Sequence, residues 1–197
     1  MMDSKLIMQL AEQNNGMITT AMVVDLGLSR GSLKYLADIG KLDHSSRGVY
    51  TLPNVLEDEF VNVQSRYKRG IYSLDTALYF YDLTDKTPNN FHMFFPSTYN
   101  LTNPQKDGIL CRGMKDPLFS IGVDMVNTPS GNKVRCYSVE RTLCDILRTS
   151  NNVDIQVVSC AFKRYITRKD RNIPLLSEYA RKFHVDKRLR SYLEVLL

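Results

Sequence analysis

Four side chains between Leu28 and Leu52 have the chemistry to bind a polyanion. Arg30, Lys34 and Tyr35 fall in one helix-like run, and Arg47 falls in the turn beyond it. The stretch holds four basic and two acidic residues, a local charge of +2. Arginine and lysine bind phosphate oxygens, and polar side chains on a helix reach base edges in the major groove. The residue types therefore predict contacts with double-stranded DNA.

A capped helix is needed to position these side chains. Ser29 can accept a hydrogen bond from an early amide of the helix, and Gly40 can end it. On the helical wheel, Leu33 and Leu36 share one face, and Lys34 lies on the opposite face. One face should pack against a core and the other should stay available. The free amides at the helix start also favour a phosphate beside Ser29.

Two helices and a hairpin surround this helix in the sequence. Met2 to Asn14 reads as a first helix capped by Asp3, and Thr19 caps a short second helix that ends at Gly27. KLDH and GVYTL read as two strands joined by Ser45, Ser46 and Arg47. The order predicts a winged helix-turn-helix. The alternative is a winged helix that docks on a protein. The predicted DNA contacts of this domain are Thr19, Ser29, Arg30, Ser32, Lys34, Tyr35 and Arg47.

The net charge of +5 is concentrated late in the chain. After Glu140 there are twelve basic and six acidic residues. Lys163, Arg164 and Arg168 have the spacing of a basic stripe along a helix, and we expect this stripe to add sequence-independent contacts with DNA phosphates. A merely solvated helix face is the open alternative.

The rest of the sequence predicts a second, C-terminal domain. Residues 54–69 read as a linking helix, so the predicted domains are 1–69 and 70–197. The expected strands are 71–72, 91–95, 109–112, 118–126 and 133–137, and helices are expected from Ser73, Ser138, Val153, Pro174 and Asp186. Strands followed by helices favour an α+β domain, a small sheet packed with helices.

Glu140, Arg141 and Asp145 form a cluster of charged residues within two helical turns. A metal-dependent nuclease would need further carboxylates and a lysine at short spacing, and the sequence offers no such set. A helix cap with an Arg141–Asp145 ion pair explains the cluster better than a nuclease site does. The three histidines have no ligand spacing, and the four cysteines, none in a CxxC pair, favour free thiols. We therefore expect no catalysis, no metal and no cofactor.

Composition favours a soluble globular protein, with 43% hydrophobic and 24% charged residues. Asp3, Lys5 and Glu12 interrupt the apolar run that a signal peptide would need, and no later window approaches a membrane-spanning length. The sequence thus predicts a cytoplasmic protein without membrane contact.

Four blocks of sequence resemble one bacterial family. The run GMITTAMVVDLGLSRGSLKYLADIGKLDHSSRGVYTLP resembles the N-terminal domain of the AbiEi-family antitoxins of type IV toxin-antitoxin (abortive infection) systems. GIYSLDTALYFYDLTDKTPNNFHMFFP, VERTLCDIL and LSEYARKFHVDKRLRSYLEVLL resemble later segments of that family, in the same order. The similarity extends over nearly the whole chain.

The resemblance implies a bifunctional protein involved in phage resistance. Such antitoxins bind inverted repeats in their own operator through the winged helix and repress the operon. Their C-terminal domain counters a nucleotidyltransferase toxin without forming a stable complex with it. Glu140, Arg141 and Asp145 are the candidate residues for that second activity.

Overall fold

The computed structural model describes residues 2–196, which form two compact units. The first unit comprises the chain up to Lys68 together with Asn127–Val134, and the second comprises Arg69–Val126 together with the chain from Arg135 onward. The first unit thus takes up a turn from the region that the sequence assigned to the second domain. Both units contain helices and strands, so the protein is α+β, as the sequence predicted.

The first unit is built from short elements. They are α1 (Met2–Gln13), β1 (Met17–Thr19), α2 (Thr20–Asp25), α3 (Arg30–Asp38), β2 (Asp43–Ser46), β3 (Val49–Thr51) and α4 (Glu59–Arg66). Thr19 and Ser29 cap α2 and α3 through their hydroxyls, as predicted. Asp3 was predicted to cap α1 but lies inside its first turn.

The strand β1 was not predicted from the sequence. It pairs antiparallel with β3, and β3 pairs with β2, so the sheet order is β1-β3-β2. The hairpin turn also differs from the prediction: β2 continues through Ser46, and only Arg47 and Gly48 form the tip. Gly48 has a φ of +79°, a conformation that suits glycine in so short a connection.

The core of this unit lies between α1, α3 and the sheet. Leu33 and Leu36 of α3 are buried, as their shared helical face predicted. Each contributes about 1.5–3 kcal/mol by leaving water. The other buried members of the cluster are Ile7, Ala11, Ile18, Val23 and Leu42.

Asp58 joins two separate segments of the first unit. Its carboxylate accepts from the amides of Phe60 and Val61, which makes Asp58 the N-cap of α4. The same side chain accepts from Thr128 Oγ1 and, at 2.9 Å, from Asn132 Nδ2. Because this cap starts α4 at Glu59, the linking helix is shorter than the predicted span of 54–69.

The second unit contains a larger sheet covered by helices. Its elements are β4 (Ile71–Tyr72), α5 (Leu74–Phe80), β5 (His92–Pro96), α6 (Thr102–Lys106), β6 (Leu110–Met114), β7 (Val123–Asn127), β8 (Lys133–Tyr137), α7 (Val139–Leu147), α8 (Ile155–Thr167), α9 (Ile173–Lys182) and α10 (Asp186–Leu196). The strand order is β6-β5-β4-β8-β7, with β5 and β6 parallel.

Three details of this unit differ from the sequence prediction. The strand expected over residues 118–126 begins only at Val123. The helix α6 was not predicted at all. The helix α8 ends at Thr167, with Arg168 in an extended conformation. Among residues 2–196, no helix is long and apolar enough to cross a bilayer.

Candidate nucleic-acid interface

Two hydrogen bonds fix the start of α3. Ser29 Oγ accepts from Gly31 N at 3.2 Å, and Ser29 N donates to Asp3 Oδ2 at 3.4 Å. The first bond is the helix cap. The second places a carboxylate beside the free amides of α3, where an anion is stabilised. A negative charge therefore already lies where the sequence predicted a phosphate. No local pattern signals this contact, because the two residues are 26 positions apart.

The outer face of α3 carries unpaired cations. Arg30 and Lys34 are exposed, and Tyr35 is 57% exposed. Because Arg30 and Lys34 are four residues apart, they lie on the same side of the helix. Within residues 2–196, neither side chain forms an ion pair or a hydrogen bond. The guanidinium of Arg30, the ammonium group of Lys34 and the phenol hydroxyl of Tyr35 are therefore available to an external acceptor.

Thr19 and Ser32 are less accessible than the cations. Both are half-buried, and Thr19 Oγ1 accepts from Met22 N at 3.2 Å. The Thr19 hydroxyl thus holds the start of α2. Ser32 lines a groove between α1 and α3.

Arg47 occupies the exposed tip of the β2–β3 hairpin. The tip is held in place because Gly48 O accepts from Thr20 N at 2.8 Å. A Cβ at Gly48 would lie 3.3 Å from Thr20 Oγ1, so the approach is close. The Arg47 side chain is consequently presented from a fixed backbone, without an ion-pair partner among residues 2–196.

The groove beside α3 adds two cations that the sequence interpretation missed. Lys5 of α1 and Lys41, just beyond α3, line it and are exposed. Its walls also include Tyr35 and the apolar side chains of Met8 and Ile39. Lys41 lies within the basic stretch noted above, but Lys5 comes close to α3 only through the packing of α1.

Two of the three cations in the predicted basic stripe of the second unit form ion pairs within residues 2–196, unlike the cations of α3. Arg164 Nη2 forms an ion pair with Asp85, and Arg164 Nη1 donates to Asp82 O at 3.1 Å. Arg168 makes two bonds to Asp170, at 2.9 and 2.8 Å, and donates to Tyr81 O at 2.8 Å.

These contacts correct the predicted geometry of the stripe. Because α8 ends at Thr167, Arg168 does not continue a helical row with Arg164. Both guanidinium groups are directed to acceptors of their own unit, and those carboxylates raise the pKa of each arginine. Lys163 is exposed and unpaired within the described residues. The DNA-binding role of the three residues stays a prediction.

Arg141 and Asp145, two of the candidate antitoxin residues, are both fully buried in α7. Arg141 Nε donates to Asp145 Oδ2 at 2.8 Å, and Arg141 Nη1 donates to the carbonyls of Leu118 and Ile121. The guanidinium also lies 4.1 Å from the ring centroid of Tyr137. Burial raises the pKa of Asp145 to about 6 even though Arg141 acts to lower it.

Glu140 is also directed inward. One carboxylate oxygen accepts from Tyr165 Oη at 3.0 Å and from Asn172 N at 3.3 Å. These bonds tie α7 to the end of α8 and to the start of α9. Glu140 and Arg141 therefore hold α7 to neighbouring segments, and Asp145 holds Arg141. A contact between these buried side chains and a separate protein would require the unit to open. Their antitoxin role stays a prediction.

The second unit also contains the remaining reactive side chains. Cys111, Cys136, Cys144 and Cys160 are free thiols, of which Cys136 and Cys144 are buried. Burial raises the pKa of Cys136, which disfavours its thiolate. Across residues 2–196, no three His, Cys, Asp or Glu side chains gather in a way that could hold a metal ion.

The comparisons with known proteins identify the first unit. Residues 5–53, which include most of α1, the sheet and α3, match a family model of transcriptional regulators. More particularly, that model is AbiEi_4, "Transcriptional regulator, AbiEi antitoxin". The N-terminal unit is therefore similar to the AbiEi antitoxin regulators, which confirms the resemblance at this end of the chain. Residues 54–197 lie outside the match.

Two further comparisons add no functional information. The crystal structure of the RV2827C protein from Mycobacterium tuberculosis is similar at 12% identity, covering 97% of this chain and 80% of that one, with a TM-score of 0.45. A similarity this distant carries no argument about this chain. No curated protein matches it.

Proposed function

We propose that the protein is a DNA-binding transcriptional autorepressor whose first unit is a winged helix-turn-helix. Helix α3 is the recognition helix, and the β2–β3 hairpin is the wing. The element order and the three-stranded sheet order β1-β3-β2 support this proposal. In such domains the recognition helix lies in the major groove.

One observation carries the proposal: α3 buries its leucines and leaves its cations outward and unpaired. Arg30 and Lys34 can bind phosphates or the acceptor atoms of guanine, and Tyr35 can donate from its hydroxyl. Arg47 at the hairpin tip can reach a flanking phosphate or a narrow minor groove. We propose inverted repeats upstream of the protein's own gene as the target, because the family match is to antitoxin regulators.

Operator binding can be tested with the full-length chain. We expect a band shift on the DNA upstream of its gene, and weaker binding to a scrambled duplex of equal length. The double variant Arg30→Ala/Lys34→Ala should abolish the difference between the two duplexes, whereas Lys68→Ala, another exposed lysine of the first unit, should keep it. Equal affinity of the wild type for both duplexes would favour a protein-docking role for this domain.

We further propose that the protein opposes a nucleotidyltransferase toxin through the second unit, without a stable complex and without a catalytic step of its own. The family match at the first unit supports an antitoxin role in general. The test is co-expression with a nucleotidyltransferase-like gene from the same operon. Full-length protein should restore growth, and the two proteins should not co-purify. Toxicity that the full chain leaves unchanged would exclude this activity.

A further inference from the structure

The second unit contains a pocket of about 510 Å³ that the proposed function does not use. Its polar lining includes Asn90, His92, Gln105, Arg112 and Asn151, and Leu74 and Phe94 are among its apolar lining. This volume and this mixture of polar and apolar lining residues are typical of small-molecule sites. Every lining residue belongs to the second unit.

Parallel strand pairing brings the two most polar groups of the pocket together. His92 of β5 is opposite Leu110 of β6, and Phe94 is opposite Arg112. Side chains two residues apart on a strand point to the same face, and those on adjacent strands are neighbours. His92 and Arg112 are therefore diagonal neighbours on one face of the sheet.

Arg112 is held in place without a counter-ion. Its Nη1 donates to Ser150 O and, at 2.8 Å, to Asn151 Oδ1. Asn151 is itself anchored, because its Nδ2 donates to Asp145 O at 2.7 Å. No carboxylate among residues 2–196 pairs with Arg112. A guanidinium fixed by neutral acceptors leaves its other nitrogens to bind an oxyanion in the forked geometry that arginine favours.

His92 provides a second unsatisfied group. Its Nδ1 is buried and has no hydrogen-bond partner, and the nearest carboxylate oxygen, Asp75 Oδ2, lies 3.8 Å away. Burial lowers the pKa of His92, and the charge of Arg112 lowers it further while Asp75 raises it. The ring is therefore neutral at neutral pH, with one N–H donor and one acceptor. A buried polar atom without a partner is uncommon and calls for an explanation.

We propose that this pocket binds a small molecule bearing a phosphate or carboxylate group, with the oxyanion on Arg112 and His92. The body of the ligand lies against Leu74, Phe94 and Ile109, and the free amide of Gln105 supplies a further polar contact. Phosphate and carboxylate groups both present oxygen acceptors in a geometry that a guanidinium can bind. The ligand class is therefore defined by an oxyanion of this kind.

The test is a titration of the full-length protein followed by the NMR signals of the His92 ring. Inorganic phosphate and benzoate are the probes, and potassium chloride holds ionic strength constant. We expect at least one probe to shift these signals saturably and to raise the pKa of His92, because an anion beside the ring favours its protonated form. Saturation by phosphate alone identifies a phosphoryl ligand, and saturation by benzoate alone identifies a carboxylate.

Variants separate a built site from general ionic effects. Arg112→Gln should weaken binding by at least about tenfold, and Arg112→Lys should lose less because it keeps the charge. Lys169→Ala, which removes an exposed cation of the same unit, should bind like the wild type. The proposal is overturned if neither probe saturates. It is equally overturned if correctly folded Arg112→Gln binds as tightly as the wild type.

Discussion

The outer face of α3 and the interior of α7 use the same residue type in opposite ways. Arg30 on α3 is exposed and unpaired among the described residues, whereas Arg141 on α7 is fully buried and makes bonds to Asp145 and to two carbonyls. Both arginines lie in the first turn of a helix capped by serine. The difference shows that the partners within the fold, and not the charge itself, decide whether an arginine stays available to an external ligand or holds the fold together.

The largest expected effect tests the buried side of this comparison. Arg141→Ala should lower the free energy of unfolding of the full chain by about 3–5 kcal/mol, because buried Asp145 would lose the 2.8 Å bond to Arg141 and keep only Arg148, 3.9 Å away, as a counter-ion. Urea denaturation followed by circular dichroism measures this change. Lys169→Ala should cost less than about 0.5 kcal/mol.

A second variant sharpens the interpretation of Arg141. In Arg141→Met/Asp145→Leu, both charges are replaced by apolar side chains, and the loss should be smaller than for Arg141→Ala alone. A double variant that unfolds as readily as the single one would mean that the carbonyl contacts, and not the ion pair, dominate the role of Arg141.

The exposed side of the comparison predicts the next effect. Lys34→Ala or Arg30→Ala should each weaken operator binding by about 1–3 kcal/mol if the side chain reads a base. Arg164→Ala/Arg168→Ala should have less influence on affinity and on its salt dependence, because both side chains already bind acceptors of their own unit. Fluorescence anisotropy at two salt concentrations measures both. A larger loss for the second pair would reverse our view of which cations are available.

Removal of the Asp3 charge tests the exposed side of the comparison by a gain of operator affinity instead of a loss. Asp3→Asn removes the negative charge beside the start of α3, and operator affinity should increase by about 0.3–1 kcal/mol. The control is Glu12→Gln, which removes an exposed acidic charge near the other end of α1. An equal gain in both variants would indicate a general charge effect instead of a local one at α3.

The smallest effect concerns the pH dependence of stability. Because the folded-state pKa of His92 is lowered, the neutral ring contributes stability above about pH 6.5, the unfolded value. This contribution is lost as the pH falls through the folded pKa, since the unfolded chain binds the proton first. His92→Gln should therefore weaken the loss of stability on acidification, as measured by urea unfolding at several pH values. An unchanged pH profile would assign that loss to other groups.

Much of the local chemistry was predictable from the sequence, and distant partners were not. The caps at Thr19, Ser29 and Ser138 were found because each involves a hydrogen bond within three residues. The predicted cap at Ser73 was wrong, because its hydroxyl makes no capping hydrogen bond. The amphipathic pattern of α3 likewise gave its buried face. In contrast, β1 has only three residues and depends on pairing with β3, which no local pattern reveals.

In the candidate site, too, local features were predictable and contacts between distant segments were not. The exposure of Arg30, Lys34 and Arg47 could be predicted from periodicity and from the turn. The approach of Asp3 to Ser29 and the pairing of Arg164 with Asp85 could not, because both join elements distant in sequence. The spacing of Arg141 and Asp145 gave their ion pair, but its complete burial depends on the carbonyls and rings contributed by other segments.

The contacts of Asp58 have a consequence for the order in which the protein folds during its synthesis on the ribosome. Thr128 and Asn132, which bind its carboxylate, are translated some seventy residues after it. The nascent N-terminal region therefore emerges with this carboxylate only half satisfied, and it gains its last internal bonds when the later turn arrives. A fragment truncated before that turn should expose more of its amides to hydrogen exchange near the start of α4 than the full-length chain does.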